Sequence, residues 1–401
     1  MIFSILILLL LLAVAFFHYV QGLFSATLSA LIAVIASMMA ISYHETLANI
    51  LSGGKFSDYA LAITMISIFA GVYIVLRLIF DKLVPGNVRV PLLVDKIGAG
   101  VMGVVAAAFA TGTLAVAAQT LPFSSSLGGY SRYEIAGDRP VQVKVTGKFQ
   151  MQDLEVFDEL RPDTIDGPSS GMLVPVDDMV IGVASMLSNG GSLAGARSFT
   201  SVHPDYLQEL FGQRTGINPG AKRTAMPVDV SVDGVYWRDQ LNQIDAEIDA
   251  IRKRALPASI KARPDSVFLV VRTMFKQSAS DRDNIVRFSP SVVRLFANGR
   301  NYFPIGTLEG GTLYANRADD ALFVNVAGSD GGADLVFQVD AGVAPASPTG
   351  PSDRAIAPGT FLEFKRFARI DLSGKTVPPT IPASANVKVI RKSGVGPAPK
   401  P

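Results

Sequence analysis

The stretch V-D-K-I-G-A-G-V-M-G-V-V-A-A-A-F-A-T-G-T-L-A-V-A-A-Q-T-L-P-F, Val94 to Phe123, decides how this chain is built. Its charges, Asp95 and Lys96, stand at its beginning, and Ile97 to Leu121 carries none. That run is long enough to cross a bilayer, which takes roughly 20 apolar residues. Ala99, Gly103 and Ala107 recur at every fourth position. This spacing lines small residues along one helical face, where another helix can come close. Upstream the sequence reads as membrane, and downstream it reads as a water-soluble domain.

The 401 residues carry a net charge of +2, no cysteine and only 17% charged residues. Soluble domains average about 25% charged residues, and here the shortfall is confined to the region before Pro122. The rest is close to balanced in sign, which argues against nucleic-acid binding. The absence of cysteine removes disulfides, cysteine-ligated zinc and thiol catalysis.

Four spans are expected. Ile2 to Val20 lacks the basic start of a signal peptide, and its apolar run exceeds the length of a signal-peptide core. Gln21-Gly22 is a short break, and Leu23 to Ile41 is a second span with no ionisable side chain. Tyr59 to Phe80 is the third; its Arg77 reads as a snorkelling residue paired with Asp81 one turn on. Pro85-Gly86 and Pro91 interrupt the chain before span four, whose N-cap is expected to be Asp95. Arg77, Lys82, Arg89 and Lys96 gather around the loop between spans three and four, whereas the loop between spans two and three has only Lys55. Basic loops stay in the cytoplasm, so the chain beyond span four is expected outside it.

Gln21-Gly22 after span one, and Asp95-Lys96 with Gly98 and Gly103 in span four, make the region Met1 to Thr120 resemble the colicin V production protein (CvpA) family. Two features depart from that pattern: span one lacks an acidic residue at its start, and Ala106-Ala107 replaces a basic residue-Gly pair. The resemblance implies a multi-pass bacterial inner-membrane protein linked to toxin production or export, or to envelope homeostasis. Together with the four-residue spacing of span four, it marks Gly22, Asp95, Gly98, Ala99, Gly103 and Ala107 as the helix-packing and family-motif residues.

Past a tether over 122–133, the spacing predicts a soluble domain over 134–372. Strands are expected at Val141 to Val145, Val228 to Val232, Ser266 to Phe275, Ala321 to Val326, Leu335 to Val339, Phe361 to Ile370 and Val387 to Ile390. Helices are expected at Val176 to Leu187, at Pro204 to Phe211 and, from Leu241, Ile244, Ile248 and Ile251, at Trp237 to Leu256. The Pro-rich tail over 373–401 is expected to be largely disordered. The fold class is thus an all-α four-helix transmembrane module followed by a β-rich, sandwich-like α+β extracytoplasmic domain.

A site for chemistry does not emerge. Some relatives carry a trypsin-like protease after the spans, but His203 is followed by no serine in a Gly-flanked nucleophile loop. His203, before Pro204, reads as a helix-start or surface residue; His18 and His44 read as interfacial. Asp281, Asp283 and Asn284 open like a calcium loop, yet Ile285 takes a ligand position and the required glycine is missing. No catalytic residue, cofactor or metal is expected. The expected partners are the lipid bilayer, another envelope protein and a second copy of the chain, with a non-enzymatic scaffold as the reading and an oligomeric transporter or channel component as its rival.

Overall fold

A computed structural model describes residues 2–51, 56–83, 91–122, 126–135, 165–166, 172–189, 199–214, 222–243, 259–281, 283–315, 321–346, 354–384 and 386–392. The chain divides into two compact units. The first combines Met1–Glu134 with Gly167–Phe211; the second combines Ile135–Asp166 with Gly212–Pro401.

The first unit is helical. Its long helices are α1 (Ile2–Gln21), α2 (Leu23–Leu51), α3 (Ala60–Leu83) and α4 (Leu92–Gln119). All four are long and apolar enough to cross a membrane. α4 packs on α1 and on α2, and α3 packs on α2. The outer faces of α1 and α3 present Leu6, Phe16, Phe17, Ile74 and Leu78, as side chains meeting lipid must.

Three further helices belong to this unit: α5 (Val176–Asn189), α6 (Phe199–Val202) and α7 (Tyr206–Gly212, ending at the border). This corrects the expected boundary, which placed them in the soluble domain. The reason is apolar. Val180 and Ala184 of α5 join Ala30, Met38, Ile41, Ala106 and Phe109 in one cluster, and Tyr206, Leu207 and Leu210 join Ala40, Met65 and Val116 in another. The expected tether is also corrected in part. Leu127 and Tyr130 are buried and bridge each other, Ile2 N–H donates to Gly128 O at 3.0 Å, and Tyr130 packs its ring on Phe3.

The second unit is built from β-sheets. In a seven-stranded sheet Ser266–Phe275 lies second from one edge, paired antiparallel with the edge strand Val230–Arg238 on one side and with Gly331–Asp340 on the other. A four-stranded sheet contains Val293–Ala297, Phe361–Phe364 and Ala368–Asp371, and a three-stranded one contains Ile285–Phe288, Ala321–Asn325 and Val389–Lys392. Their inner faces meet in one core that includes Val271, Phe275, Phe288, Leu295, Leu322, Leu335, Phe337 and Phe364.

Buried charges in these sheets sit on directly opposed residues. Arg272 faces Asp334 across two strands and forks onto its carboxylate at 2.8 and 2.7 Å. Arg294 faces Glu363 and forks onto it at 3.0 and 2.9 Å, and Arg369, opposite Glu363 on the other side, adds a bond of 2.6 Å. Register and charge pairing reinforce each other here, because removing one partner would leave a buried charge uncompensated.

Three expectations give way in this unit. Trp237 to Leu256 is not a helix over its described part: Val230–Arg238 and Gln240–Gln243 are strands, while 244–256 lies outside the described residues. The competing force is tertiary. A bulge between Val232 and Gly234 shifts the register, so Val230 and Val232 before it, and Val235 and Trp237 after it, all meet the same core. Phe361 to Ile370 is a hairpin, turned at Lys365 and Arg366 with positive φ, not one strand. The described residues 373–384 and 386–392 join the fold: Thr376–Val377 pairs with Arg354–Ala355, and Val389–Lys392 with Ala321–Asn325, while 393–401 lies outside the described residues. The strand expected at Val141 to Val145 lies outside the described residues.

Candidate functional site

The residues singled out in the membrane module converge on the turn between α1 and α2. Gly22 makes that turn with φ +95°, a left-handed backbone that favours glycine. A Cβ at Gly22 would stand 3.1 Å from Asp95 Oδ1. The carboxylate has a definite task there: Leu23 N–H, at the exposed start of α2, donates to Asp95 Oδ1 at 2.8 Å. Asp95 therefore caps α2, not its own helix. The N-cap of α4 is Pro91, with no side-chain cap bond, and Asp95 lies inside the first turn. Carboxylates are favoured at helix N-termini by the unpaired N–H groups and the dipole, and α2 receives one from α4.

The same turn is held from α3. Arg77 donates through Nε to Asp81 at 3.2 Å, and through its other nitrogens to Ser29 Oγ and Ser25 Oγ, each at 3.0 Å. The expected pairing with Asp81 is present, with the two serines of α2 added to it. Lys96 reaches Tyr19 O at 3.5 Å and lies over the Tyr19 ring. Together these contacts gather polar groups from four helices at one end of the module.

The small residues bring the backbones together. Leu23 fills the space that a side chain at Gly98 would need. A Cβ at Gly103 would stand 2.9 Å from Ala15 O and 3.0 Å from His18 Cβ, both of α1. Ala107 packs with Ile7, Leu11 and Ala15 of α1, and Ala99 is fully buried. Much of this face of α4 is therefore covered by α1 of the same chain. Gly112 went unmarked in the sequence, yet a Cβ there would stand 2.5 Å from Val176 O of α5.

A second polar group lies at the other end of α2. His44 is fully buried; its Nδ1 lies 2.8 Å from Ile41 O and its Nε2 2.7 Å from the Tyr206 hydroxyl. His203 is buried between two carboxylates, Nδ1 at 2.5 Å from Glu209 Oε2 and Nε2 at 2.9 Å from Glu45 Oε1. The expectation of a surface or helix-start His203 is corrected: it is buried, as are His18 and His44. Rings of Phe199 and Tyr206 pack against His203. Beside the cluster, desolvation and the Glu209 charge push the Asp205 carboxyl above its ordinary range. The sequence could show the histidines but not that Tyr206 lies 162 positions from its partner.

A third group fixes α5. Asp177, fully buried, accepts from Gln119 Nε2 at 2.9 Å and from Arg132 at 3.0 Å. Burial and the Asp177 charge push the nearby Tyr130 hydroxyl up to about 12.

In the β-rich unit, Arg287 bridges Asp281 at 2.8 Å and Asp283 at 2.9 Å, so the calcium-like opening is a turn braced by an arginine. A cavity of about 560 Å³ is lined by Arg238, Leu241, Leu308 and Ile381, with the Arg272–Asp334 pair in its wall. No cluster of His, Cys, Asp and Glu arranged to hold a metal is found among the described residues.

Residues 3–131 match the model of the family described as Colicin V production protein, so the N-terminal helical module carries that family's signature. No curated protein and no solved structure matched the chain.

Proposed function

We propose that this protein is a non-enzymatic integral-membrane scaffold of the bacterial inner membrane. It presents the β-rich unit outside the cytoplasm and serves colicin V-like toxin production or export, or envelope homeostasis. The observation that carries this reading is the match of residues 3–131 to the Colicin V production family, continued by a unit with a core of its own. The sidedness follows from the basic residues Arg77, Lys82, Arg89 and Lys96 around the α3–α4 connection. Two comparisons in the native host test it. A reporter active only in the cytoplasm, fused after Gly129, should be silent. A chain ended after Phe211 should insert normally but lose the secretion or envelope phenotype; full function in that form would defeat the scaffold reading.

An oligomeric transporter or channel component is the second reading, favoured by the buried ionisable groups at the end of α2. Such groups in membrane helices mark ion and proton pathways. With much of the small-residue face of α4 covered by α1, contact with a second copy would fall on α3, whose buried residues stop at Met65.

A further inference from the structure

The His203 cluster fixes a count of protons whichever way they are drawn. Each ring nitrogen faces a carboxylate oxygen, at 2.5 Å from Glu209 and 2.9 Å from Glu45. Each contact needs one hydrogen between nitrogen and oxygen. A neutral imidazole supplies one. The second comes either from an imidazolium or from a protonated glutamic acid. Both arrangements hold one proton more than a neutral ring with two carboxylates. His44 differs: Ile41 O accepts from Nδ1–H and the Tyr206 hydroxyl donates to Nε2, so a neutral ring satisfies both contacts.

Removing that extra proton sets a nitrogen lone pair against a carboxylate lone pair at a buried ring, which is costly where the dielectric is low, most of all at the buried Glu209 and less at the partly exposed Glu45. The strain falls on a joint between elements. Glu45 belongs to α2, His203 directly follows α6 and Glu209 belongs to α7. Chain from Gly212 onward is assigned to the β-rich unit. Among the described residues, the titratable groups near the site include His44 on α2, Asp205 and Tyr206 beside Glu209, and Tyr133, which packs on Phe211 and lies by Arg132 and Asp178; α3 contributes Thr64, bonded to His44 O.

We propose that His203, Glu45 and Glu209 form a proton-binding latch, in which one shared proton fastens residues 199–212 onto the C-terminal turns of α2. The ligand is the proton itself. Stability gained from a bound proton is present at low pH and is lost as pH rises through the point where the proton leaves. The latch therefore closes in acid and loosens in alkali.

The test is hydrogen exchange of residues 199–212 in the full-length protein in nanodiscs, corrected for the intrinsic effect of pH. In the wild type the opening equilibrium should grow by about tenfold per pH unit between the pH at which the opened site gives up its proton and the higher pH at which the closed latch does, the slope for one linked proton, and level off above that. In the double variant Glu45→Gln, Glu209→Gln, neutral amides bond a neutral imidazole, and the profile should be flat. A flat wild-type profile, or an equally steep double variant, would overturn the proposal. A second arm needs no substitution in the cluster. With ¹⁵N-labelled histidine, loss of the proton from the closed latch at His203 or its carboxylates should fall at the pH where the rise in exchange levels off; titration of the ring with no rise in exchange below it would also overturn the proposal. Zinc chloride is the remaining probe: protection restored by zinc at high pH in the unsubstituted protein would mean a metal site in place of a proton latch.

Discussion

At the scale of single residues, Asp95 carries the most structural information in the membrane module. Its carboxylate satisfies a backbone N–H 72 positions away, and Gly22 leaves room for it. Asp95→Ala should lower the thermal stability of the detergent-solubilised protein by about 0.5–2 kcal/mol, the usual cost of a lost cap. Asp95→Asn keeps an acceptor and should lose less. Gly22→Ala adds a Cβ 3.1 Å from the Asp95 carboxylate at φ +95° and should cost about 1–3 kcal/mol through strain. An Asp95→Ala protein that melts with the wild type would show that water replaces the cap. The sequence marked Asp95 and Gly22 but assigned the cap to the wrong helix. An N-cap expectation uses only the residues on either side, and this cap comes from another helix. His203 failed for the same reason: its carboxylates come from α2 and α7, and proximity to Pro204 says nothing about either.

At the scale of elements, the four apolar helices were legible because each is one uninterrupted hydrophobic run. Ser266 to Phe275 was legible too, since a strand buried along its whole length reads as continuous apolar sequence. The stretch beginning at Trp237 was not. Leu241 and Ile244 fit helical spacing, but Tyr236 and Trp237 stand in register with Val270 and Leu269 of the neighbouring strand, and Trp237 N–H donates to Pro378 O at 3.2 Å. Short apolar runs carry both periods, and only the partner strand decides. Close packing of helices gives a sharper check. Gly103 and Gly112 touch the backbones of α1 and α5, whereas nothing lies within 4 Å of a Cβ at Gly71 in α3. Gly103→Leu and Gly112→Leu should each destabilise the protein by about 1–3 kcal/mol, as overpacking does. Gly71→Leu should be tolerated. Hydrogen exchange across Val176–Asn189 should rise in the Gly112 variant; if Gly71→Leu proves as harmful as the other two, these contacts do not hold the module together.

At the scale of the molecule, the order of the chain hides the division of the fold. Composition changes once, near Pro122, and a boundary drawn there assigns everything later to one soluble domain. The structure instead returns the chain to the helical unit over Gly167–Phe211. Apolar side chains on α5 and α7 suit the core face of a soluble helix equally well, and nothing local says which core they join. The opposite error occurred at the other end, where many prolines suggested a tail. Val377 and Val389 are buried in the common core, and Val389–Lys392 completes the sheet beside Ala321–Asn325. These corrections separate two fragments that composition would rank the other way. A fragment of residues 122–372 carries the apolar faces of α5 and α7 without their partners and lacks two strands of the β-rich unit. It should aggregate or melt without cooperativity. A fragment of residues 212–401 drops 135–166 but keeps the seven-, four- and three-stranded sheets and their common core, and should give a far-ultraviolet circular dichroism spectrum dominated by β-structure with one cooperative thermal transition. If the longer fragment melts cooperatively and the shorter does not, α5 to α7 belong to the soluble fold after all. The proton latch would then act within that domain and not at the membrane module.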